Sequence, residues 1–168
     1  MEASCETEVL RLREIDPRPL TRLLESYGLE LRAVAPVDAI PASYWGECEA
    51  GLRGRLLYAR ADTPLHSILH EAAHYACMSA ERRASLDRDA GGDDAEECAV
   101  CYLQLLLADA VPGLGRERLF IDMDRWGYSF RLGTARAWFQ QDTASARAWL
   151  EHHGLIDRDG QPTGQVRT

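Results

Sequence analysis

The sequence predicts a small α+β domain, and three observations carry that expectation. Leu52 to Arg60 alternates apolar and polar residues over part of its length, as a half-exposed strand does. Two long apolar stretches, around 63–80 and 95–110, have the length of core helices. The chain has 168 residues, 46% of them hydrophobic, enough for one buried core and short for two. The expected domain spans 1–156, with a short antiparallel or mixed sheet packed on a helix pair and further helices at the C-terminal end. A flexible tail is expected over 157–168, where Gly160, Pro162 and Gly164 discourage regular structure.

In chain order, Asp16 to Tyr27 reads as a short helix closed by Gly28, and Leu29 to Ala35 as a strand. Glu47 to Gly51 is a candidate first arm of a hairpin whose second arm is the strand 52–60. A turn at Asp62 leads into a helix over 63–80, with Thr63 as its N-cap, Pro64 at its first position and no further Gly or Pro until Gly91. Glu81 to Asp94, charged and ending in Gly91-Gly92-Asp93-Asp94, reads as a loop. The second apolar helix begins near Glu96 and Glu97 and is closed by Pro112 and Gly113. Trp126 to Leu132 is an alternating aromatic stretch, either plain core or the lining of a cleft. Thr134–Gln141 and Thr143–His153 then read as two helices, with Trp138, Phe139, Trp149 and Leu150 as anchors and Gly154 just past the end.

The helix over 63–80 contains His70-Glu71-Ala72-Ala73-His74. Histidines four apart lie about one turn from each other on one helix face, so both imidazoles can reach one metal ion. Zinc held by three protein ligands keeps a water in its fourth position and lowers the pKa of that water to roughly 7. Glu71, between the histidines in sequence, stands where a general base would take the proton of that water. The neighbours Leu65, Ile68, Leu69, Ala72, Ala73, Ala76 and Cys77 mark a core helix, in which polar side chains need partners.

The order of strand, motif helix, loop and acidic helix resembles the zincin metallopeptidases, in the compact gluzincin-like form whose third zinc ligand is a glutamate. The resemblance covers about residues 50–110 and implies a zinc-dependent peptidase with His70 and His74 as ligands and Glu71 as catalytic base. It also implies a third ligand at the start of the downstream helix. Glu96 is preferred, because Ala99, Val100 and Leu103 make an apolar stripe beside it with a small residue where two helices approach. Glu97 is the alternative and brings Gln104 onto the ligand face, where its amide would orient a histidine. Neither glutamate has the acid or amide that the family places four residues on, since Val100 and Cys101 stand there.

The resemblance further implies a peptide or protein substrate bound in extended form and pairing with the strand 52–60. Arg53, Arg55 and Arg60 on that strand would then favour acidic substrates. An oxyanion donor is expected among Tyr75, Tyr102, Tyr128, His152 and His153, whereas His66 is expected to support the site or lie at the surface. The alternative function is a non-catalytic zinc-binding or protein-interaction module on the same scaffold.

Composition narrows the remaining classes. A net charge of −8 and the absence of lysine, all 19 positive residues being arginine, argue against nucleic-acid binding. No apolar run approaches the roughly 20 residues of a membrane span, and the acidic start Met1 to Glu6 is unlike a signal peptide, so a cytoplasmic protein is expected. Cys98-Ala99-Val100-Cys101, with Cys48 and Cys77, has the makings of a four-thiolate zinc site. The expectation is instead free thiols in a reducing cytosol, which suits an odd count of five cysteines.

Overall fold

The computed structural model describes residues 4–168. It is an α+β arrangement of seven α-helices and a three-stranded mixed sheet. Helix α1 (Pro17–Ser26) starts at Asp16, whose carboxylate accepts the Arg18 backbone N–H, and ends at Gly28 in the left-handed region. Strand β1 (Glu30–Val34) pairs in parallel with β3 (Leu56–Arg60), and β2 (Gly51–Arg53) pairs with β3 in antiparallel fashion. The strand expected over 52–60 is therefore two strands. Gly54, with φ of +56°, turns the chain between them, and the hairpin loop is only Gly54-Arg55. Glu47 to Ala50, expected as a hairpin arm, is a loop.

Helix α2 (Leu65–Cys77) leaves β3 through Asp62, and its N-cap is Pro64 rather than Thr63. The Thr63 hydroxyl instead accepts the Arg60 N–H at 2.8 Å and closes the turn. The N-terminal segment straps this junction. The Leu65 N–H donates to the Leu10 carbonyl, and the buried Arg11 guanidinium donates to the carbonyls of Asp62 and Thr7 at 2.7 Å each. After α2, the expected loop over 81–94 opens with a short helix α3 (Ala80–Ala84), because the Ser79 side chain caps the Arg82 N–H.

Helix α4 (Asp94–Ala108) starts at Asp93, which caps the Glu96 N–H at 2.9 Å, and makes the most extensive helix pairing of the fold with α2. Ala72, Ala73 and Ala76 on α2 and Ala99, Val100 and Leu103 on α4 are all buried, and their small size lets the two backbones approach. Helix α5 (Gly115–Trp126) was not foreseen from the sequence, and it makes Trp126 a helix end rather than the start of an alternating stretch. Gly127, at φ +97°, stops α5, and Tyr128 to Leu132 runs as irregular chain. Helices α6 (Ala135–Gln141) and α7 (Ala144–His152) match expectation to within a residue, and α7 packs along α4.

The tail expected to fray is tied down. The Thr163 N–H donates to the Leu155 carbonyl, the Arg167 N–H donates to the Ala76 carbonyl at 2.8 Å, and the Arg167 guanidinium lies over the Trp149 ring. Among the described residues no helix is long and apolar enough to cross a membrane.

Candidate metal centre

Two helices and two loops converge on one cleft of about 620 Å³. Helix α2 contributes Ser67, His70 and Glu71, the loop 45–49 forms one wall, and Trp126, Gly127 and Tyr128 at the end of α5 form another. Ser67 fastens the loop wall to the helix, because its hydroxyl accepts the Ala50 N–H at 2.9 Å. Trp126 joins the two walls by donating its indole N–H to Glu49 Oε1 at 2.8 Å.

His70 lines the cleft, and its Nε2 faces His74 Nε2 at 3.0 Å, an approach that the helical spacing allows. Glu97 Oε1 lies 3.6 Å from His74 Nε2. These three side chains bring their donor atoms within 4.8 Å of one another and are the only such group among the described residues. The contact between His74 and Glu97 is not an ion pair, because burial and the nearby His70 and Arg82 hold the His74 pKa well below its ordinary value. Burial likewise lowers His70, so both imidazoles are neutral.

The Gln104 amide defines the His70 tautomer. Its nitrogen donates to the His66 carbonyl at 2.8 Å, which directs Oε1 toward His70 Nδ1 at 3.0 Å. Nδ1 must then carry the proton, and the His70 Nε2 lone pair is left aimed at His74 and Glu97. Two neutral imidazoles and one carboxylate, with one imidazole oriented from behind by an amide carbonyl, are a donor set that suits zinc. The His74 Nδ1 atom is buried without a partner.

Glu96, the expected third ligand, is turned away from the histidines. Its carboxylate is buried and accepts from Arg82 Nη1 at 2.8 and 2.9 Å and from Arg167 Nη1 at 3.4 Å. One residue along a helix is a rotation of about 100°, and the two arginines lie on the Glu96 side. The alternative, Glu97 with Gln104 on its face, is the geometry observed.

Glu71 lines the cleft beside His70, and its carboxyl is pushed up to about 8 by burial and then by the charges of Glu49, Glu97 and Asp89. Of the five candidate oxyanion donors only Tyr128 lines the cleft. Tyr75 lies under Arg83, Tyr102 stacks on Phe139, and His152 and His153 sit by one another near Trp149. The Tyr128 hydroxyl lies 3.0 Å from His66 Nδ1 and 3.4 Å from Gln104 Nε2, and His66 itself is fully buried rather than at the surface.

Strand β3 has both edges occupied, by β1 and β2, so it cannot accept an extended peptide along 56–60; the outer strands are β1 and β2, and of the expected strand only Leu52 and Arg53 lie on one of them. The three arginines also point elsewhere: Arg53 pairs with Asp87, Arg55 with Glu30 and Arg60 with Asp62, and none lines the cleft.

The cysteines divide. Cys5 and Cys48 form a disulfide at the cleft wall, which corrects the expectation that all five are free thiols. Cys77, Cys98 and Cys101 are free, and the four-thiolate arrangement is not formed. The wall residues Trp45 and Glu49 had escaped sequence reasoning as site residues, since loop residues carry no periodic signal, and Cys48 was weighed there only as a thiolate. Comparison with protein-family models, with curated proteins and with solved structures finds no match.

Proposed function

We propose that this protein is a zinc-dependent metallohydrolase, and specifically a metallopeptidase of zincin type. The observation that carries the proposal is the meeting of His70, His74 and Glu97 in one cluster, with His70 and the adjacent Glu71 lining an open cleft. A non-catalytic zinc-binding module would have no use for a carboxylate at position 71. When bound, zinc supplies a Lewis acid and a water acidic enough to act near neutral pH. His70, His74 and Glu97 would hold it, with Gln104 keeping His70 in the ligating tautomer.

Glu71 accepts a proton from the attacking water and returns it to the leaving amine. Burial, and then the charges of Glu49, Glu97 and Asp89, raise its pKa to about 8, and a divalent ion held beside it would lower it. Tyr128, the one expected oxyanion donor that lines the cleft, is kept in this reading for that role. In this reading His66 Nδ1–H and Gln104 Nε2–H both donate to its oxygen. That tautomer leaves His66 Nε2 as an unpaired acceptor, which costs less than an unpaired buried N–H.

The disulfide fits a compartment that keeps thiols oxidised, which counts against the cytoplasmic location expected from the lack of an apolar span and of a signal peptide. The test is zinc content together with hydrolysis of a mixed peptide pool. Wild type should carry about one zinc per chain and cleave peptides, and Glu71→Gln should keep the zinc and lose turnover by about 1,000-fold or more. Equal turnover by the two proteins removes the mechanism.

A further inference from the structure

The cleft described above has a one-sided electrostatic character. Glu47, Glu49 and Glu71 line it, and no lysine or arginine does. None of the three carboxylates takes part in an ion pair among the described residues. Glu49 is the most constrained of them. It is half-buried, Oε1 is held by the Trp126 indole N–H at 2.8 Å, and the Ala50 N–H bond to Ser67 fixes the backbone next to it. Burial raises its pKa, the signature of a carboxylate short of a positive partner. Trp45, Trp126 and Tyr128 also line the cleft, so apolar ring surface is at hand beside Glu49 for the aliphatic stem of a long basic side chain.

We propose that the cleft selects substrates carrying a cationic side chain, arginine or lysine, near the bond presented to the metal centre, and that Glu49 is the residue that sets this preference. The proposal rests on the metallopeptidase reading and deepens it. It also reverses the acidic preference expected from Arg53, Arg55 and Arg60, all of which are engaged outside the cleft. Glu49 is preorganised: its carboxylate is already oriented by Trp126, so little side-chain entropy is lost when a guanidinium or ammonium docks. Glu47, exposed on the rim, attracts the same charge with less effect because water screens it.

The test uses the full chain supplied with zinc and carrying Glu71→Gln, so that binding is read without turnover. The probes are three blocked pentapeptides identical except for a central arginine, citrulline or glutamate. Citrulline keeps the shape of arginine and removes its charge. We expect the arginine peptide to bind about 30-fold more tightly than the citrulline peptide, which corresponds to about 2 kcal/mol, and the glutamate peptide to bind most weakly. Adding Glu49→Gln should shrink the gap between arginine and citrulline to about threefold or less, and adding Glu47→Gln instead should reduce it only slightly. High salt should also narrow the gap in the parent protein, which provides a readout independent of whether the Glu49 variant folds. Equal affinities for arginine and citrulline overturn the proposal, as does failure of all three peptides to bind; a gap that survives Glu49→Gln in a folded variant removes Glu49 from it. A wild-type protein that shows the charge gap without cleaving the arginine peptide sinks the hydrolase reading and leaves the selection standing. Cleavage with no charge gap does the reverse.

Discussion

Adjacent glutamates at the start of α4 should fail in opposite ways when truncated. Glu96→Ala removes a buried carboxylate that accepts from two arginines, and leaves Arg82 and Arg167 facing an apolar methyl. Breaking a buried ion pair by deleting one partner costs roughly 3–5 kcal/mol when the remaining charge is trapped. Here the side chains of Arg82 and Arg167 are 37% and 26% exposed and can turn toward water, so about 2–3 kcal/mol is the better figure. For a chain of this length that lowers the melting temperature by roughly 5–10 °C. Glu97→Ala removes a carboxylate that is 39% exposed and has no cationic partner, so the metal-free protein should change by no more than roughly 1 kcal/mol.

Zinc affinity should show the opposite order. Losing a direct ligand exceeds the roughly 10–100-fold penalty for losing a group that merely orients one, so Glu97→Ala should weaken zinc by more than about 100-fold and Glu96→Ala by about tenfold or less. Calorimetric unfolding of the metal-free proteins and competitive zinc titration with a chromogenic chelator measure the two axes separately. A Glu96→Ala protein that melts normally but has lost zinc, beside a Glu97→Ala protein that retains it, would refute the assignment.

Three further outcomes follow from the same geometry. Gln104→Leu removes the acceptor that keeps the His70 proton on Nδ1, and zinc affinity should drop by about 10–100-fold in the same titration. Cys5→Ser opens the only disulfide among the described residues, which joins positions 43 apart, and the chain-entropy relation puts the loss at about 4 kcal/mol as an upper figure; adding reductant to wild type should reproduce it in urea unfolding. His66 is fully buried, and burial, then His70 and Arg11, lower its pKa to about 3, so the unfolded chain binds a proton there that the folded one refuses. Its contribution is fully present above about pH 6.5 and is lost as the pH falls toward 3, at up to about 1.4 kcal/mol per pH unit; a His66→Gln protein that keeps this whole slope contradicts the assignment.

The motif helix and the helices α1, α4, α6 and α7 were legible because each joins a periodic apolar pattern to a recognisable start or stop, such as Asp16, Gly28 or Gly154. Helix α5 escaped because its surface-rich sequence, Gly115 to Trp126, interleaves Arg, Glu and Asp with few apolar residues, and a glycine begins it. The hairpin at Gly54 was hidden within what read as a single strand. His70, Glu71 and His74 share one helix face by local geometry alone. The choice between Glu96 and Glu97 was not local, since it depends on Arg82 from α3 and Arg167 from the far end of the chain. The cleft walls are likewise assembled from residues distant in sequence, Glu49 and Trp126 among them.

Those two arginines explain how a small domain can aim a candidate third ligand. The first turn of α4 follows a glycine-containing loop, and an end of that kind is free to fray or rotate unless something fixes it. Arg82 reaches across from α3, binds the Glu96 carboxylate and donates to the carbonyls of Ala90 and Gly91, so it fixes the loop and the helix start together. Gly92 is packed against the Glu96 carboxylate, where an added Cβ would lie 2.4 Å from Glu96 Cδ, so the loop closes over the ion pair only without a side chain there. Arg167 approaches from the docked tail and is held by Trp149 on α7. With Glu96 anchored on that side, the rotation of the helix start is set and Glu97 is left facing His74. Consecutive acids thus divide the work, one holding the helix in orientation and the next presenting a donor, which is why a docked C-terminal segment has a bearing on a candidate metal centre to which it offers no donor atom.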